Sequence, residues 1–533
     1  MQNTQAASAR PTGRRRLRAA AVAGAVALAL VAAPAAFAQP PADPPSSGMP
    51  APTPGFPLTT EHTQQAHDPA SDFTSKWTRA DARQIMAQSN PNVAPGQNSM
   101  SPNVTMPEIP QDFPAMNDDV WVWDTWSLSD MQGNQISYKG WDIIFSLVAD
   151  RHAGYSFDQR HWNARIGFFY RKTNADPNKD KWNYGGHLFA EGTSIGNTEW
   201  SGSTRLMEGD NVNVFYTATT FYDVAQRNAG GGGIAPDAAI AKALGKIHAD
   251  KDKVWFDGFQ HTKLLEPDGK MYQTKTQNAG FAFRDPYPFV DPAHPDKTYM
   301  VFEGNTAGNR GSYRCDESDL GYRPGDPNAE TVQDVNQNTG SYYQTASVGL
   351  AEADSKDLTK WHFLPPILTA NCVNDQTERP QFYIQNENGQ NKYYLFTISH
   401  QFTYADRMRG PDGVYGFVGN GIRSDFQPLN NSGLTLGSPT DLNLPANNPS
   451  GTISGQQNGR QFQAYSHYVM PGGLVQSFID NVNGTRGGSL SPTVKINFKG
   501  GVSQVDRSFG NNGLGPFGYL PTNVRVGGNG LYK

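Results

Sequence analysis

Short runs of alternating apolar and polar residues dominate the chain from about Trp121 onward, and they constrain its fold most. The clearest runs are residues 142–148, 164–170, 212–219, 299–303, 347–351, 392–398 and 474–479. Clusters of Gly, Pro, Asn or Asp separate most of them, which is typical of strands joined by turns. Only 17% of the residues are charged, against 55 glycines and 38 prolines, so long charged helices are disfavoured. The pattern predicts a large all-β domain, but no sequence repeat fixes the number of its units.

Two segments depart from this pattern. Residues 237–248 follow a run of four glycines and are rich in alanine, so we predict a helical surface insertion there. Residues 39–100 are rich in Pro, Ser, Gln, Asn and Thr, which predicts a partly flexible lead-in with one short helix near residues 79–88. The main domain is therefore placed at residues 101–533.

The first 38 residues have the features of a signal peptide. Four arginines at positions 14–18 precede an apolar stretch at 19–33, and the sequence Ala36-Phe37-Ala38 matches a cleavage site. The apolar stretch is short for a membrane span, and a polar segment follows it. We therefore expect cleavage near Ala38, no membrane anchor afterwards, and a secreted or periplasmic protein.

Removal of this leader makes the chain more acidic. It leaves 39 basic residues against 49 acidic ones, a net charge of −10, and no cluster of Lys and Arg stands out. Phosphate contacts need such clusters, so we exclude nucleic acid as a partner. A neutral ligand rich in hydroxyl groups fits better.

Cys315 and Cys372 are the two cysteines of the chain. In an exported protein they predict a disulfide bond, which would stabilise the fold by roughly 4 kcal/mol in the chain-entropy model. Two buried free thiols are the alternative. A metal site is disfavoured because no other His or Cys lies at ligand spacing from either cysteine.

Four short motifs place acidic residues beside aromatic or arginine side chains. Sugar sites often have this composition, because the C–H faces of sugars pack on aromatic rings while their hydroxyls bind carboxylates. Each motif alone has a structural explanation, such as core tryptophans or an Arg–Asp pair that holds a loop. The motifs are Trp123-Asp124-Thr125-Trp126, Glu199-Trp200-Ser201-Gly202-Ser203, Phe283-Arg284-Asp285-Pro286 and Asp375-Gln376-Thr377-Glu378-Arg379-Pro380.

Together, in this order and spacing, the motifs resemble those of the levansucrase and invertase family of bacterial fructosyltransferases (glycoside hydrolase family 68). The resemblance runs from about Pro107 to the C-terminus. With the leader and the cysteine pair, the chain is most similar to levansucrases of Gram-negative acetic-acid bacteria. The resemblance implies a five-bladed β-propeller with a central funnel-shaped pocket, and transfer of the fructosyl unit of sucrose to fructan, sucrose or water.

The resemblance also assigns site residues. It makes Asp124 the nucleophile, Glu378 the general acid/base and Asp285 the stabiliser of the transition state. Around the fructosyl unit it places Trp123, Trp200, Ser201, Arg284 and Glu303; on the glucosyl or acceptor side it places Gln376, His400 and Tyr465. Many relatives have Glu where this chain has Gln376, and Gram-positive relatives have Arg where it has His400. These two departures leave polymer length and the ratio of transfer to hydrolysis open.

Two alternatives stay open from the sequence. One is an extracellular invertase of the same family, which transfers the fructosyl unit mainly to water. The other is a carbohydrate-binding propeller without catalysis. We expect sucrose and fructan acceptors as partners, a monomer, no cofactor and no required metal.

Two weaker patterns are set aside. Residues 334–338 begin like a calcium loop, but Thr339 and Thr345 stand where that loop needs Gly and Glu. The Gly-x-Ser-x-Gly pattern at residues 192–196 has no following helix, which a nucleophile elbow requires.

Overall fold

The structure is a computed structural model that describes residues 59, 61–94, 96–110, 112–177, 179–221, 236–443, 463–482, 486–518 and 524–526. The predicted signal peptide and its cleavage site lie outside the described residues. Within the described residues, no helix is both long enough and apolar enough to cross a membrane.

Strands account for most of the described body, and the fold is all-β as predicted. A short strand, β1 (Ser75–Lys76), comes first. The strands after it form five mainly antiparallel groups that we call units 1 to 5. Unit 1 consists of β2 (Val120–Ser129), β3 (Ile136–Tyr138), β4 (Trp141–Asp150), β5 (Arg165–Lys172) and β6 (Asn183–His187). Unit 2 consists of β7 (Thr198–Leu206), β8 (Asn211–Thr220), β9 (Asp237–Ala249) and β10 (Val254–Leu265).

The remaining units follow in chain order. Unit 3 consists of β11 (Phe283–Asp291), β12 (His294–Asn305), β13 (Ala346–Ala353) and β14 (Trp361–Thr369). Unit 4 consists of β15 (Glu378–Glu387), β16 (Gln390–Ser399), β17 (Gly413–Gly419), β18 (Gln427–Pro428) and β19 (Leu434–Gly437). Unit 5 consists of β20 (Ala464–Met470), β21 (Leu474–Ile479), β22 (Pro492–Lys499), β23 (Val502–Val505) and β24 (Leu514–Phe517). A final strand, β25 (Val524–Val526), pairs in parallel with β3 of unit 1. Six of the seven runs predicted from the sequence lie within strands, and the run 164–170 begins one residue before β5, so the predicted strands are confirmed.

The first strands of the units contact one another in sequence order. β2 pairs in parallel with β7 through Leu128 and Thr204, which joins units 1 and 2 into one sheet. β7 contacts β11, β11 contacts β15, β15 contacts β20, and β20 contacts β2. The five first strands therefore form a closed ring. The largest buried apolar cluster takes side chains from all five units.

The prediction of a helix at residues 237–248 is wrong, because this segment forms the strand β9. It pairs with β8 on one edge and with β10 on the other. Both of its faces are covered over residues 239–243: Ala241 and Ala243 belong to one buried apolar cluster, and Ile240 belongs to a second. The preference of alanine for helix is under about 1 kcal/mol per residue. Pairing and burial on both sides of the strand outweigh it.

The lead-in contains the predicted helix, α1 (Arg79–Ala87), whose N-cap is Thr78 in a capping box with Asp81. Trp77 is 1% exposed and packs on Tyr415. The buried guanidinium of Arg79 pairs with Glu330, with 2.8 Å between Nε and Oε2. The partly flexible lead-in at residues 39–100 stays a prediction. Its described part around α1 packs against unit 4 and against the segment between β12 and β13.

The predicted disulfide bond links the long connection between β12 and β13 to the turn that follows β14. Cys315 and Cys372 are joined, with 6.0 Å between their Cα atoms, and both are buried. This confirms the predicted pair. Two helices lie in the connection, α2 (Glu317–Leu320) and α3 (Val332–Asn338). The segment that begins like a calcium loop is thus helical, and its Asp334 pairs with Arg407.

Candidate active site

Each of the five first strands is interrupted by a register shift, and most of the predicted site residues lie at or beside these shifts; Glu303, Gln376 and His400 lie elsewhere. A bulge of this kind bends a strand and changes the direction of its side chains. Asp124, Asp285 and Arg379 adopt positive φ angles of 45°, 63° and 47° there, which is unusual for residues other than glycine. The shifts lie between Trp123 and Trp126, Trp200 and Gly202, Arg284 and Tyr287, Glu378 and Gln381, and Tyr465 and Tyr468.

Arg284 is the charge around which the carboxylates gather. Its Nε lies 2.6 Å from Oε2 of Glu303 and 3.9 Å from Oδ2 of Asp285. Its Nη2 donates a hydrogen bond of 2.9 Å to Oε1 of Glu378. Burial alone would lower the pKa of Arg284, but the surrounding carboxylates raise it above its usual value. The structure therefore brings together residues 284, 285, 303 and 378, as predicted.

Asp285 is buried between units 2, 3 and 4. Its backbone N–H donates to Oγ1 of Thr217 at 2.9 Å, and its Oδ2 accepts from the backbone N–H of Arg379 at 3.1 Å. Burial raises the pKa of Asp285 to about 7; Arg284 opposes this rise, and repulsion from Glu378 and Asp124 adds to it. Asp124, the third predicted carboxylate, thus lies within electrostatic range of Asp285.

Asp124 lies on the unit 1 side of this space, beside unit 2. Its Oδ2 accepts a hydrogen bond of 2.5 Å from Oγ of Ser201. Trp123 is 1% exposed, and its ring meets the ring of His161 edge to face at 5.7 Å. Trp200 donates from Nε1 to the carbonyl oxygen of His161 at 2.9 Å. Both tryptophans thus contact His161. Ser201 fixes the orientation of the Asp124 carboxylate.

Glu378 is held on both of its oxygens. Arg284 donates to Oε1, and Tyr465 donates from Oη to Oε2 at 2.6 Å. The imidazole of His400 stacks on Tyr465, with 3.8 Å between ring centroids and 21° between planes. Burial would lower the pKa of His400, but the buried Asp412, 2.8 Å from Nδ1, and Glu378 raise it. Tyr465 therefore contacts Glu378 directly, and His400 stacks on Tyr465. Their assignment to the glucosyl or acceptor side stays a prediction.

Gln376 lies beside this group. Within the described residues, its side chain forms no hydrogen bond with the carboxylates. Its side chain is 1% exposed, and neither its Oε1 nor its Nε2 has a hydrogen-bond partner within the described part of the chain. Its carbonyl oxygen accepts from Oγ of Ser399, the neighbour of His400. Gln376 is thus linked to the strand end that precedes His400.

Three supporting residues were not singled out from the sequence. The guanidinium of Arg379 donates to the carbonyl oxygens of Ser466 and Thr125, each at 2.8 Å, and so ties units 4, 5 and 1 together. Asp412 orients His400. Glu199 is buried and accepts from Arg165 and from the backbone of Ile166, which fixes β7 against β5. Arg379 and Glu199 lie inside the quoted motifs, but Asp412 has no sequence signal of its own.

Two set-aside patterns have ordinary structural explanations. Ser194 of the Gly-x-Ser-x-Gly pattern donates to Oε1 of Glu199 at 2.8 Å. Among the described residues, no group of three or more His, Cys, Asp or Glu side chains could hold a metal ion. The expectation that no metal is required stays a prediction.

Comparison with known proteins gives matches over most of the chain. The model of a family described as Levansucrase/Invertase, glycoside hydrolase family 68, matches residues 66–521. A levansucrase from Gluconacetobacter diazotrophicus is 57% identical over 488 residues, which cover 88% of this chain and 82% of that protein. An extracellular sucrase from Zymomonas mobilis subsp. mobilis is 41% identical over 457 residues, covering 84% of this chain and 95% of that protein.

Solved structures agree with the sequence matches. The crystal structure of levansucrase from Gluconacetobacter diazotrophicus has a TM-score of 0.82 at 55% identity, covering 89% of this chain and 98% of that chain. The full-length β-fructofuranosidase from Microbacterium saccharophilum K-1 has a TM-score of 0.83 at 50% identity, covering 90% of this chain and 91% of that chain. The resemblance inferred from the four motifs is confirmed: the chain belongs to the levansucrase/invertase family, glycoside hydrolase family 68.

Proposed function

We propose that this protein is a levansucrase that cleaves sucrose, releases glucose and transfers the fructosyl unit to fructan, to sucrose or to water. The observation that carries the proposal is the meeting of carboxylates from separate units around Arg284, with Asp124 facing them. The levansucrase that is 57% identical supports the same activity. A surface that only binds sugar would have no use for so many buried acidic groups held close together, because their mutual repulsion destabilises the fold.

Retaining transfer between sugars needs one carboxylate that attacks and one carboxyl group that donates a proton, about 5 Å apart. We assign the attack on C2 of the fructosyl unit to Asp124. Glu378 gives its proton to the glycosidic oxygen, the C2–O bond breaks, and glucose leaves. The fructosyl unit is then esterified to Asp124. Glu378 next takes the proton of the incoming hydroxyl, whose oxygen attacks C2 and releases Asp124.

Other residues have supporting roles in this proposal. Asp285, buried and raised in pKa, holds hydroxyl groups of the fructosyl unit more tightly as its ring flattens in the transition state. Arg284 and Glu303 fix the position of the fructosyl hydroxyl groups. The fructosyl side of the site is also lined by Trp123, Trp200 and Ser201. Gln376, His400 and Tyr465 face the leaving glucose and the acceptor.

We also propose that the five units are the blades of a five-bladed β-propeller around a central funnel-shaped pocket. The ring of first strands supports this arrangement, because in a propeller the strands nearest the axis contact their neighbours in order. The bulges of these strands would then lie at the floor of the pocket. This is why residues far apart in the sequence can meet there.

Export is part of the proposal, because the first 38 residues have the pattern of a signal peptide and a relative is an extracellular sucrase. We propose a monomer that acts on sucrose outside the cytoplasm, in the periplasm or in the medium. Size-exclusion chromatography with light scattering tests the monomer, and cell fractionation tests the location.

Mainly hydrolytic action is the second candidate, since the β-fructofuranosidase at 50% identity has the same fold. One incubation with sucrose separates the two. For a transferase, glucose exceeds free fructose, and fructan is found when the products are resolved by size. Equal glucose and fructose without polymer would identify a hydrolase. No glucose release at all would contradict both, with the Glu378→Gln variant as the inactive control.

A further inference from the structure

Phe402 is an aromatic residue with an open face close to the candidate site. It lies in a short helical turn, Gln401–Thr403, that directly follows His400. Its side chain is 51% exposed, although unit 4 around it is largely buried. A single exposed aromatic ring is common on protein surfaces. What distinguishes Phe402 is the group of residues on which it is stacked.

Phe402 is the outer member of a stack of three rings that leads to Glu378. Its ring lies 4.8 Å from that of His400, at an angle of 17°. His400 in turn stacks on Tyr465 at 3.8 Å. Tyr465 donates its hydroxyl hydrogen to Oε2 of Glu378. The stack thus runs from solvent to the carboxyl group that we propose exchanges a proton with each acceptor.

The turn that carries Phe402 is fixed before any ligand arrives. The carboxylate of Asp412, 0% exposed, contacts Nδ1 of His400 at 2.8 Å and accepts from the backbone N–H of Gln401 at 2.7 Å. The carbonyl oxygen of Thr403 accepts from the backbone N–H of Asp375 at 3.0 Å. A rigid aromatic ring binds a ligand with little loss of conformational entropy.

We propose that Phe402 is an outer acceptor platform, on which a sugar ring of an incoming fructan chain stacks while the end of that chain reaches Glu378. The apolar C–H face of a furanose is the ligand that matches such a ring. His400 and Tyr465 lie nearer to Glu378, so Phe402 contacts a sugar farther from the reacting end. The platform favours long acceptors over sucrose and water, and it rests on the proposed fructosyl transfer.

The test compares the wild-type protein with Phe402→Ala, Phe402→Tyr and a control, Val502→Ala. Val502 is 64% exposed and lies on β23, away from the stack. Glucose release is measured against sucrose concentration. Fructosyl transfer is then measured at fixed sucrose against the concentration of a short β-2,6 fructan. Melting temperature is followed for each variant.

For Phe402→Ala we expect the fructan concentration that gives half-maximal transfer to rise about threefold to tenfold, as for the loss of one aromatic contact. This rise exceeds any change in KM for sucrose, and the products become shorter. Phe402→Tyr keeps the aromatic ring and should have the wild-type half-maximal fructan concentration and KM for sucrose. Val502→Ala should have the wild-type value of both.

Two outcomes would overturn the platform. One is an unchanged dependence on fructan in Phe402→Ala. The other is a loss of glucose release equal to the loss of transfer, because this would mean that Phe402 only supports His400. A wild-type protein that releases no glucose from sucrose would instead refute the proposed function itself.

Discussion

His62 is predicted to stabilise the N-terminal segment only while it carries a positive charge. Its Nε2 lies 3.1 Å from Oδ2 of Asp81 in α1, and its Nδ1 lies 3.1 Å from Oδ1 of Asp425, close to β18. The side chain of His62 is 8% exposed. Burial would lower its pKa, but Asp425 and Asp81 outweigh this and raise it to about 9.

The size of the effect follows from the two pKa values. The ordinary value for unfolded histidine is 6.5, so the difference corresponds to about 3 kcal/mol of unfolding free energy. Because the pKa is higher in the folded state, this stabilisation is fully present below pH 6.5. It is lost as the pH rises through about 9. For a domain of this size, 3 kcal/mol corresponds to a change of about 3 °C in melting temperature.

The measurement is the melting temperature of the wild type and of His62→Gln between pH 6 and pH 10. At pH 6 the variant should melt about 3 °C lower, and at pH 10 the difference should nearly vanish. The control is His152→Gln, since His152 is 70% exposed and lies 3.6 Å from an exposed Asp119. A difference between wild type and His62→Gln that is the same at both pH values would refute the reasoning.

Three further predictions concern the site and its support. Three amide variants, Asp124→Asn, Asp285→Asn and Glu378→Gln, should release no measurable glucose. They should melt no lower than the wild type, because each removes one of the charges that repel one another; activity retained in one of them removes its assigned role. Ser201→Ala should slow glucose release about tenfold to a hundredfold, because it removes a hydrogen bond to a charged group. Ser201→Thr keeps the hydroxyl and should retain most of the rate; equal rates in the two variants would contradict this role of Ser201. Reduction of the Cys315–Cys372 bond should lower the melting temperature, whereas EDTA should change neither melting nor activity; a large loss in EDTA would reveal a required metal.

The strands and the family could be predicted from the sequence because their signals are local. Short apolar runs such as residues 392–398 correspond to strands, and this one is buried on both faces from residue 393 onward. The motifs around Asp285 and Glu378 are each short, and they can be recognised by their order along the chain whatever the length of the loops between them. The disulfide bond followed from export and the presence of two cysteines.

The features that the sequence did not predict depend on the whole fold. β9 is rich in alanine, and both of its faces are buried over residues 239–243, so it has neither the period nor the composition of a typical strand. The lead-in has the composition of a flexible segment, yet Trp77 and Arg79 find partners in unit 4 and in the segment between β12 and β13 that are distant in sequence. Tertiary contacts of this kind leave no local pattern.

The supporting residues of the site were missed for a related reason. Arg379 and Asp412 act through backbone carbonyls and through other side chains, and both kinds of partner become neighbours only after the units have assembled. The bulges that aim Asp124 and Asp285 are equally hidden, because positive φ angles occur there without glycine. A single sequence does not reveal such strained positions.

The pairing of β25 with β3 has a consequence for biosynthesis. Synthesis proceeds from the N-terminus, so the outer edge of the first sheet waits unpaired until residues near 525 have left the ribosome. An open edge of this kind can recruit strands from other chains. Truncation before Val524 should therefore promote aggregation.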